Sequence, residues 1–334
     1  DELLESLSNQ TLKDFEVIIV EDGSVKTCKD VCDKYASILA LHYYAKENSG
    51  PGQSRNYGAE RASSDYLIIL DSDVVLPEDY LEAVDNSLRA HNVPDPVCAF
   101  GGPDAAHPSF TPVQKAISYS MTSFFTTGGI RGGKKAKLDK FYPRSFNMGI
   151  RRDVYLQLGG FSKMRFGEDI DFSYRIVEAG HQPRLFPEAW VWHKRRTDFR
   201  KFFRQVYNSG IARINLEKRH PGTLKLVHLL PTVFTVGVFA LILISAVGRA
   251  LMHYVDRDQF YWMCFAPWIP IILYSILIFT DSSIKNKSLY VGLLSIPAAF
   301  VQLMGYGLGF IESWWKRCVR GQDEFQAFEK TFYK

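Results

Sequence analysis

Residues 16–24 read EVIIVEDGS and residues 66–74 read YLIILDSDV. Each is a short apolar run, rich in β-branched residues, that stops abruptly at acidic and turn-forming residues. Such runs suit strands buried on both faces. Helical patterns over 27–36 and 52–62 lie between them, giving the β-α-β order of a parallel sheet flanked by helices. In such sheets ligands collect beyond the carboxyl ends of the strands. The two runs deliver acids there: Glu21 and Asp22 after the first, Asp71, Ser72 and Asp73 after the second.

Acids one residue apart just past a buried strand repel unless something compensates their charge. Asp71, Ser72 and Asp73 in a tight loop offer hard oxygen ligands to Mg2+ or Mn2+, ions that keep positions open for phosphate oxygens. A calcium EF-hand is excluded, because Val75 and Leu76 stand where its ligands and loop glycine belong. The same residues also suit a purely structural acidic loop ahead of Pro77 and Glu78. A third acidic cluster, Glu168, Asp169 and Asp171 after Gly167, precedes the amphipathic run 172–179. Acids there complement the positive end of a helix dipole, or one of them is a general base. His193 ends the strand-like run 189–192; a lone histidine is usually structural, yet imidazole also suits Mn2+.

Five segments in order are EVIIVEDGS (16–24), SRNYGAERASSDYLIILDSDV (54–74), NMGIRRDVYLQLGGF (147–161), GEDIDFSYRIVEAG (167–180) and WVWH (190–193). Together they resemble the family 2 glycosyltransferases of the GT-A fold. The resemblance covers most of residues 1–193. It implies that Glu21 and Asp22 meet the nucleobase and ribose, and that Asp71 and Asp73, flanking Ser72, hold the metal on a sugar-nucleotide diphosphate. It further implies that Arg55 pairs with the 21–22 loop or the phosphates, that Asn147 lies near donor sugar or acceptor, and that His193 is an extra metal ligand. Asp169 is then the base of an inverting transfer, Glu168 the alternative, and Asp171 an orienting or capping group. A sugar hydroxyl is a poor nucleophile until a base takes its proton. The departing nucleoside diphosphate needs no acid where metal and arginine absorb its charge. Arg195 and Arg196 follow His193 at once and stand within reach of a pyrophosphate.

Charge divides the chain into three pieces. The 334 residues hold 40 Lys and Arg against 36 Asp and Glu, a net of +4 with 46% hydrophobic residues, which excludes a disordered chain. Residues 1–193 hold 21 basic and 27 acidic residues, 194–219 hold 9 and 2, and 220–334 hold 10 and 7. An acidic domain is followed by a basic belt and then by long uncharged runs over 226–248, 259–280 and 288–311, of 23, 22 and 24 residues. Each is long enough to cross a bilayer, which takes about 20 apolar residues in a helix. Trp262, Trp268, Trp314 and Trp315 lie at or near their ends, as interfacial aromatics do. Pro267 and Pro270 make the middle run the one most suited to a re-entrant path.

Lys194 to Arg219 carry nine basic residues ahead of the first run, so the positive-inside rule places the N-terminal domain in the cytosol, at an inner membrane. Three crossings would put the C-terminus on the other side. Lys316, Arg317 and Arg320 favour the belt side instead, so either the rule is outvoted or one run does not cross. Residues 199–216 interleave aromatics with Arg and Lys, as an interfacial helix facing anionic headgroups does. Its Gln205 is followed by Val206-Tyr207-Asn208-Ser209 and not by the Gln-x-x-Arg-Trp of processive polysaccharide synthases.

Three smaller readings complete the sequence. The Gly-rich basic segment around 128–137 suits a mobile lid, lacks the Gly-Lys-Ser/Thr of a phosphate loop, and sits in too acidic a domain for nucleic-acid binding. Cys28, Cys32, Cys98, Cys264 and Cys318 form no metal-type pairing and fit a reducing compartment. The family's first strand, with its nucleotide-holding turn, has no counterpart ahead of Asp1; the expectation is a chain short by one strand, with an unpaired sheet edge.

The expected organisation is a GT-A domain over 1–193, a basic interfacial segment over 194–223, about three transmembrane helices over 224–315 and a polar tail over 316–334. The expected function is Mn2+- or Mg2+-dependent transfer from a UDP- or GDP-sugar to a glycan or lipid-linked acceptor at the membrane. A polyprenyl-phosphate sugar synthase and a catalytically silent membrane scaffold are the alternatives.

Overall fold

The structure, a computed structural model, describes residues 1–91, 96–128, 141–254, 261–262, 264–325 and 327–328. In chain order its elements begin with α1 (Glu2–Ser8), β1 (Glu16–Asp22), α2 (Lys29–Tyr35), β2 (Ala40–Lys46), α3 (Pro51–Arg61), β3 (Tyr66–Leu70), β4 (Val74–Val75) and α4 (Tyr80–His91). They continue with β5 (Ala99–Gly101), β6 (Asp104–Ala105), α5 (Pro112–Thr122), α6 (Phe124–Thr127), β7 (Asn147–Arg151), α7 (Arg152–Gln157), α8 (Glu168–Glu178), β8 (Arg184–Leu185) and β9 (Val191–His193). Four long helices close the chain: α9 (Phe199–Arg219), α10 (Leu230–Tyr254), α11 (Ile269–Asn286) and α12 (Leu289–Trp314). Two compact units result, one of Asp1–Pro108 with Lys134–Lys194, the other of Ser109–Gly133 with Arg195–Lys334.

The first unit is α/β, but its sheets are mixed where the sequence suggests a parallel one. β1 pairs in parallel with β2, from Glu16 opposite Ala40 to Asp22 opposite Lys46. β3 pairs antiparallel with β7 in the order β3-β7-β5-β8, and β4, β9 and β6 form a third ladder. The two apolar runs that stand out in the sequence therefore do not pair with each other. Their partners β2 and β7 carry weaker patterns, and β7 enters from the opposite direction between β3 and β5. Among the described residues β1 and β3 are each paired along one edge only. Leu4, Val17, Val74, Tyr80, Phe100 and Phe186 belong to one apolar cluster, and Leu67, Met148, Ile150, Tyr155 and Phe172 to another. These clusters hold the strand ends that carry the acids.

The second unit gathers α5 and α6 with α9–α12, so the boundary differs from a single cut after residue 193. The reason is apolar: Ile117 and Met121 of α5 cluster with Phe202 and Val206 of α9, and Ala116 with Val291 and Ala298 of α12. Gly128 ends the described part of the candidate lid; the segment 129–140 lies outside the described residues. Among the described residues three helical stretches, Leu226–His253, Ala266–Asn286 and Leu289–Val319, are long and apolar enough to cross a membrane. Pro267 and Pro270 sit in the opening turns of the middle stretch, where a missing N–H costs nothing, so α11 runs on unbroken.

The apolar face of α9, expected to rest on lipid, is instead covered by α12 through glycine contacts. A Cβ on Gly210 would stand 2.2 Å from the Tyr306 carbonyl oxygen and 2.8 Å from the Phe310 nitrogen. Both are backbone atoms that cannot turn aside. Gly210→Ala is expected to lower the unfolding free energy in detergent by about 1–3 kcal/mol, as overpacking does. Gly237→Ala, whose Cβ meets nothing within 4 Å, is the neutral control. Equal melting temperatures for the two variants would contradict the close helix approach.

Candidate active site

The acids at the strand ends are gathered by two different devices. The first is strand pairing. β4 runs antiparallel to β9 with Val74 opposite His193, and the Lys194 N–H donates to the Asp73 carbonyl at 3.1 Å. That register sets His193 Nε2 3.3 Å from Asp73 Oδ1, with Asp104 Oδ2 3.8 Å from Nδ1 on the other side of the ring. Phe146 stacks on the imidazole at 4.9 Å. Asp71, Asp73 and His193 each bring one ligand atom into a group whose members all lie within 4.8 Å of one another. Two carboxylates and an imidazole at that spacing fit Mn2+ or Mg2+, and Asp104 adds negative charge on the far side of the imidazole. Ser72 is exposed between the two aspartates.

The second device is an arginine bridge. Arg55 on α3 places Nη2 2.7 Å from Asp71 Oδ1 and Nη1 2.9 Å from Glu168 Oε1, over the Phe161 ring. Burial alone would lower the guanidinium pKa, but the charges of Asp71 and Glu168 outweigh it and hold it above its ordinary value. Burial, reinforced by the charge of Asp169, pushes the Glu168 carboxyl up to about 7 against the pull of Arg55. Arg55 thus ties the Asp71–Asp73 loop to the first turn of α8. The resemblance implies pairing with the 21–22 loop or with phosphates; here that loop is otherwise engaged.

Asp22 receives Lys46 Nζ and the backbone N–H groups of Ser49 and Gly50, both at 2.9 Å, at the entrance to α3. Glu21 accepts from the Cys28 N–H at 2.9 Å, ahead of α2. Burial works to raise both carboxyls, yet these hydrogen bonds prevail and hold both below the usual carboxylate range. Both acids therefore shape the loop beyond β1.

Asp169 opens α8 beside Glu168. Its Oδ2 is 3.0 Å from Arg144 Nε, and Oδ1 accepts from the Ile170 N–H at 2.8 Å. Gly167 precedes the helix at φ 84°, a conformation that suits glycine. Asp171 is buried and reaches Arg175 at 3.2 Å, one turn on. Arg175 also donates to the carbonyls of Leu158 and Gly160, so Asp171 acts as an orienting group.

Asn147 is 1% exposed with both ends of its carboxamide in use: Tyr80 Oη donates to Oδ1 at 2.6 Å and Nδ2 donates to the Ala189 carbonyl at 2.8 Å. It braces β7 against α4 and the approach to β9. Arg195 and Arg196 belong to the second unit, where the buried Arg195 accepts a bond from Gln114 Nε2 through its carbonyl at 3.0 Å. Sequence reasoning missed Lys46, Arg144 and Asp104. Lys46 meets Asp22, Arg144 meets Asp169 and Asp104 faces His193 across fold contacts that no periodicity or short spacing links.

Mixed sheets flanked by helices, with acids meeting at the strand ends, are the GT-A class of fold. The glycosyl transferase family 2 model matches residues 1–159. A pre-mycofactocin glycosyltransferase of Mycobacterium tuberculosis (strain ATCC 25618 / H37Rv) is 28% identical over 244 residues, covering 72% of this chain and 49% of that protein. Validoxylamine A glucosyltransferase of Streptomyces hygroscopicus subsp. jinggangensis is 28% identical over 219 residues, covering 57% of this chain and 51% of that protein. The chain thus spans about half the length of these curated relatives. Among solved structures, a mannosyltransferase from Pyrobaculum calidifontis in complex with GDP-Man and Mn2+ matches with a TM-score of 0.53 at 15% identity. That match covers 95% of this chain and 83% of the other.

Proposed function

We propose that the chain is an inverting, metal-dependent glycosyltransferase. It moves a sugar from a UDP- or GDP-sugar to a hydroxyl of a membrane-proximal or lipid-linked acceptor in cell-surface polysaccharide or glycolipid synthesis. The observation that carries this reading is the convergence of Asp71, Asp73 and His193 within 4.8 Å, tied by Arg55 to Glu168, the neighbour of Asp169. The names of the relatives support glycosyl transfer, and the GDP-Man and Mn2+ of the archaeal neighbour support the donor and metal classes.

In this reading the acceptor oxygen bonds to the anomeric carbon as the bond from that carbon to the diphosphate breaks. The hydroxyl proton passes to Asp169, whose carboxylate Arg144 and the Ile170 N–H hold in one orientation. Asp71, Asp73 and His193 would hold a divalent cation, which would supply positive charge for the departing diphosphate. Arg55 fixes Asp71 for that ligation, and Glu21 and Asp22 shape the loop that meets the nucleoside. The basic residues of 194–219 face the anionic lipid of an inner membrane from the cytosolic side.

The direct test is a panel of UDP- and GDP-sugars assayed for thermal stabilisation and slow hydrolysis with Mn2+ or with chelator. One donor is expected to stabilise the protein only with metal, by about 2.7 kcal/mol at a hundredfold excess over Kd. A panel with no metal-dependent member would dismiss the reading. Lability of the product to mild acid would point instead to a glycosyl phosphate made on a lipid phosphate.

A further inference from the structure

The direction of the C-terminus, which charge counting leaves contested, is decided by what the tail touches. α9 precedes all three candidate spans and the tail follows them, yet the two are hydrogen-bonded together. Asn208 of α9 exchanges bonds with Ala327, donating to its carbonyl at 3.3 Å and accepting from its N–H at 2.9 Å. Asn215 Nδ2 donates to the Phe325 carbonyl at 3.3 Å, Arg219 meets Glu324 at 2.8 Å, and the Phe328 ring packs on Tyr207. Segments on opposite sides of a bilayer cannot make these bonds. The number of crossings between α9 and the tail is therefore even, although three stretches qualify by length and composition.

The stretch that stays on one side is α12. Its window is 44% buried by protein, against 11% for each of the other two. Short or charged helices cover it at both ends. On the N-terminal half, Ala116 of α5 clusters with Val291 and Ala298, and Tyr119 with Ala299. On the C-terminal half, Tyr207 and Gly210 of α9 press against Gly309 and Tyr306, and Ser313 bonds to the Ile211 carbonyl. Among the described residues no candidate span separates α5 from α9 in the chain, so both ends of α12 are held on one side. α10 and α11 pair as an antiparallel hairpin, with Trp268 Nε1 donating to Ser245 Oγ at 2.8 Å and Phe234 against Tyr274.

We infer that this protein crosses the bilayer twice, through α10 and α11. α12 lies within the leaflet on the α9 side, where Leu289, Tyr290 and Leu293, all more than half exposed, meet acyl chains. The charges agree: Lys285, Lys287, Lys316, Arg317 and Arg320 then share the side of the basic belt, while the sequence between α10 and α11 holds a single basic residue, Arg257, between Asp256 and Asp258. The middle stretch, with two prolines in its opening turns, crosses, and the third, with Pro297 inside its helix, does not.

The test uses the full chain with a topology reporter after Lys334, an epitope tag between Lys287 and Ser288, and a second tag ahead of Asp1. All three are expected on one side of the membrane. A Lys334 reporter opposite the N-terminal tag would overturn the even count, and a 287–288 tag opposite the tail would overturn the placement of α12. Native Cys318 gives a readout that needs no fusion at the tail. In sealed vesicles a membrane-impermeant maleimide should label it only where protease also reaches the N-terminal tag, and Cys318→Ser should abolish that labelling. Labelling of Cys318 in vesicles of the opposite orientation would also overturn the proposal.

Discussion

Asp169→Asn is expected to lower turnover by about 10²–10⁴-fold, the usual contribution of a general base, while leaving donor affinity unchanged. Asparagine keeps the shape of aspartate and one oxygen, which serves either the Arg144 guanidinium or the Ile170 N–H but not both, and it cannot take a proton from the acceptor hydroxyl. A loss of turnover with the fold and donor binding retained reads the chemistry apart from that one contact. If Asp169 served only to hold Arg144 and cap α8, Asp169→Asn would cost stability and spare turnover. Glu168→Gln completes the comparison. Glu168 is buried and its contact with Arg55 anchors α3; with its carboxyl pushed up to about 7, it could take a proton only above that pH. Full turnover by Asp169→Asn together with a dead Glu168→Gln would transfer the role to Glu168.

Asp73→Ala is expected to cost at least about 10- to 100-fold in Mn2+-supported donor affinity, the range that changes in outer-shell partners alone produce. Asp73 is the member of the Asp71, Asp73 and His193 group that the β4–β9 register sets against the imidazole, 3.3 Å away. Removing it leaves Asp71 tied to Arg55 and His193 without its neighbouring carboxylate. Titration of the donor at stepped Mn2+ concentrations gives the reading. His193→Ala should shift the same curve less, since both hard oxygen donors remain. Identical Mn2+ dependence in the wild type and Asp73→Ala would exclude this cluster as the metal site.

Much of the site is legible in the chain because its acids sit where strand runs end. EVIIV and YLIIL announce themselves by composition, so the positions of Glu21, Asp22, Asp71 and Asp73 follow from local pattern alone. The bonds among these residues do not. Asp169 finds Arg144, His193 finds Asp73 and Asp104, and Asp22 finds Lys46 through sheet order and loop closure, which no residue spacing encodes. Asn147 is the sharpest case. Its motif marks it out, but only the packing of β7 shows both ends of its amide engaged by Tyr80 and Ala189.

By itself the sequence determined an α/β unit with acids at its strand ends, a basic belt, and three helices long enough to cross a bilayer. Those features depend on period, composition and length, all of them local quantities. Tertiary structure decided which strands pair, which arginine bridges the Asp71–Asp73 loop to α8, that residues 109–128 belong with the long helices, and which of the candidate spans is covered most by protein. These outcomes turn on competition between distant partners for the same apolar face or the same charge. Hydropathy measures what a helix can bury, and only the fold shows whether protein or lipid buries it.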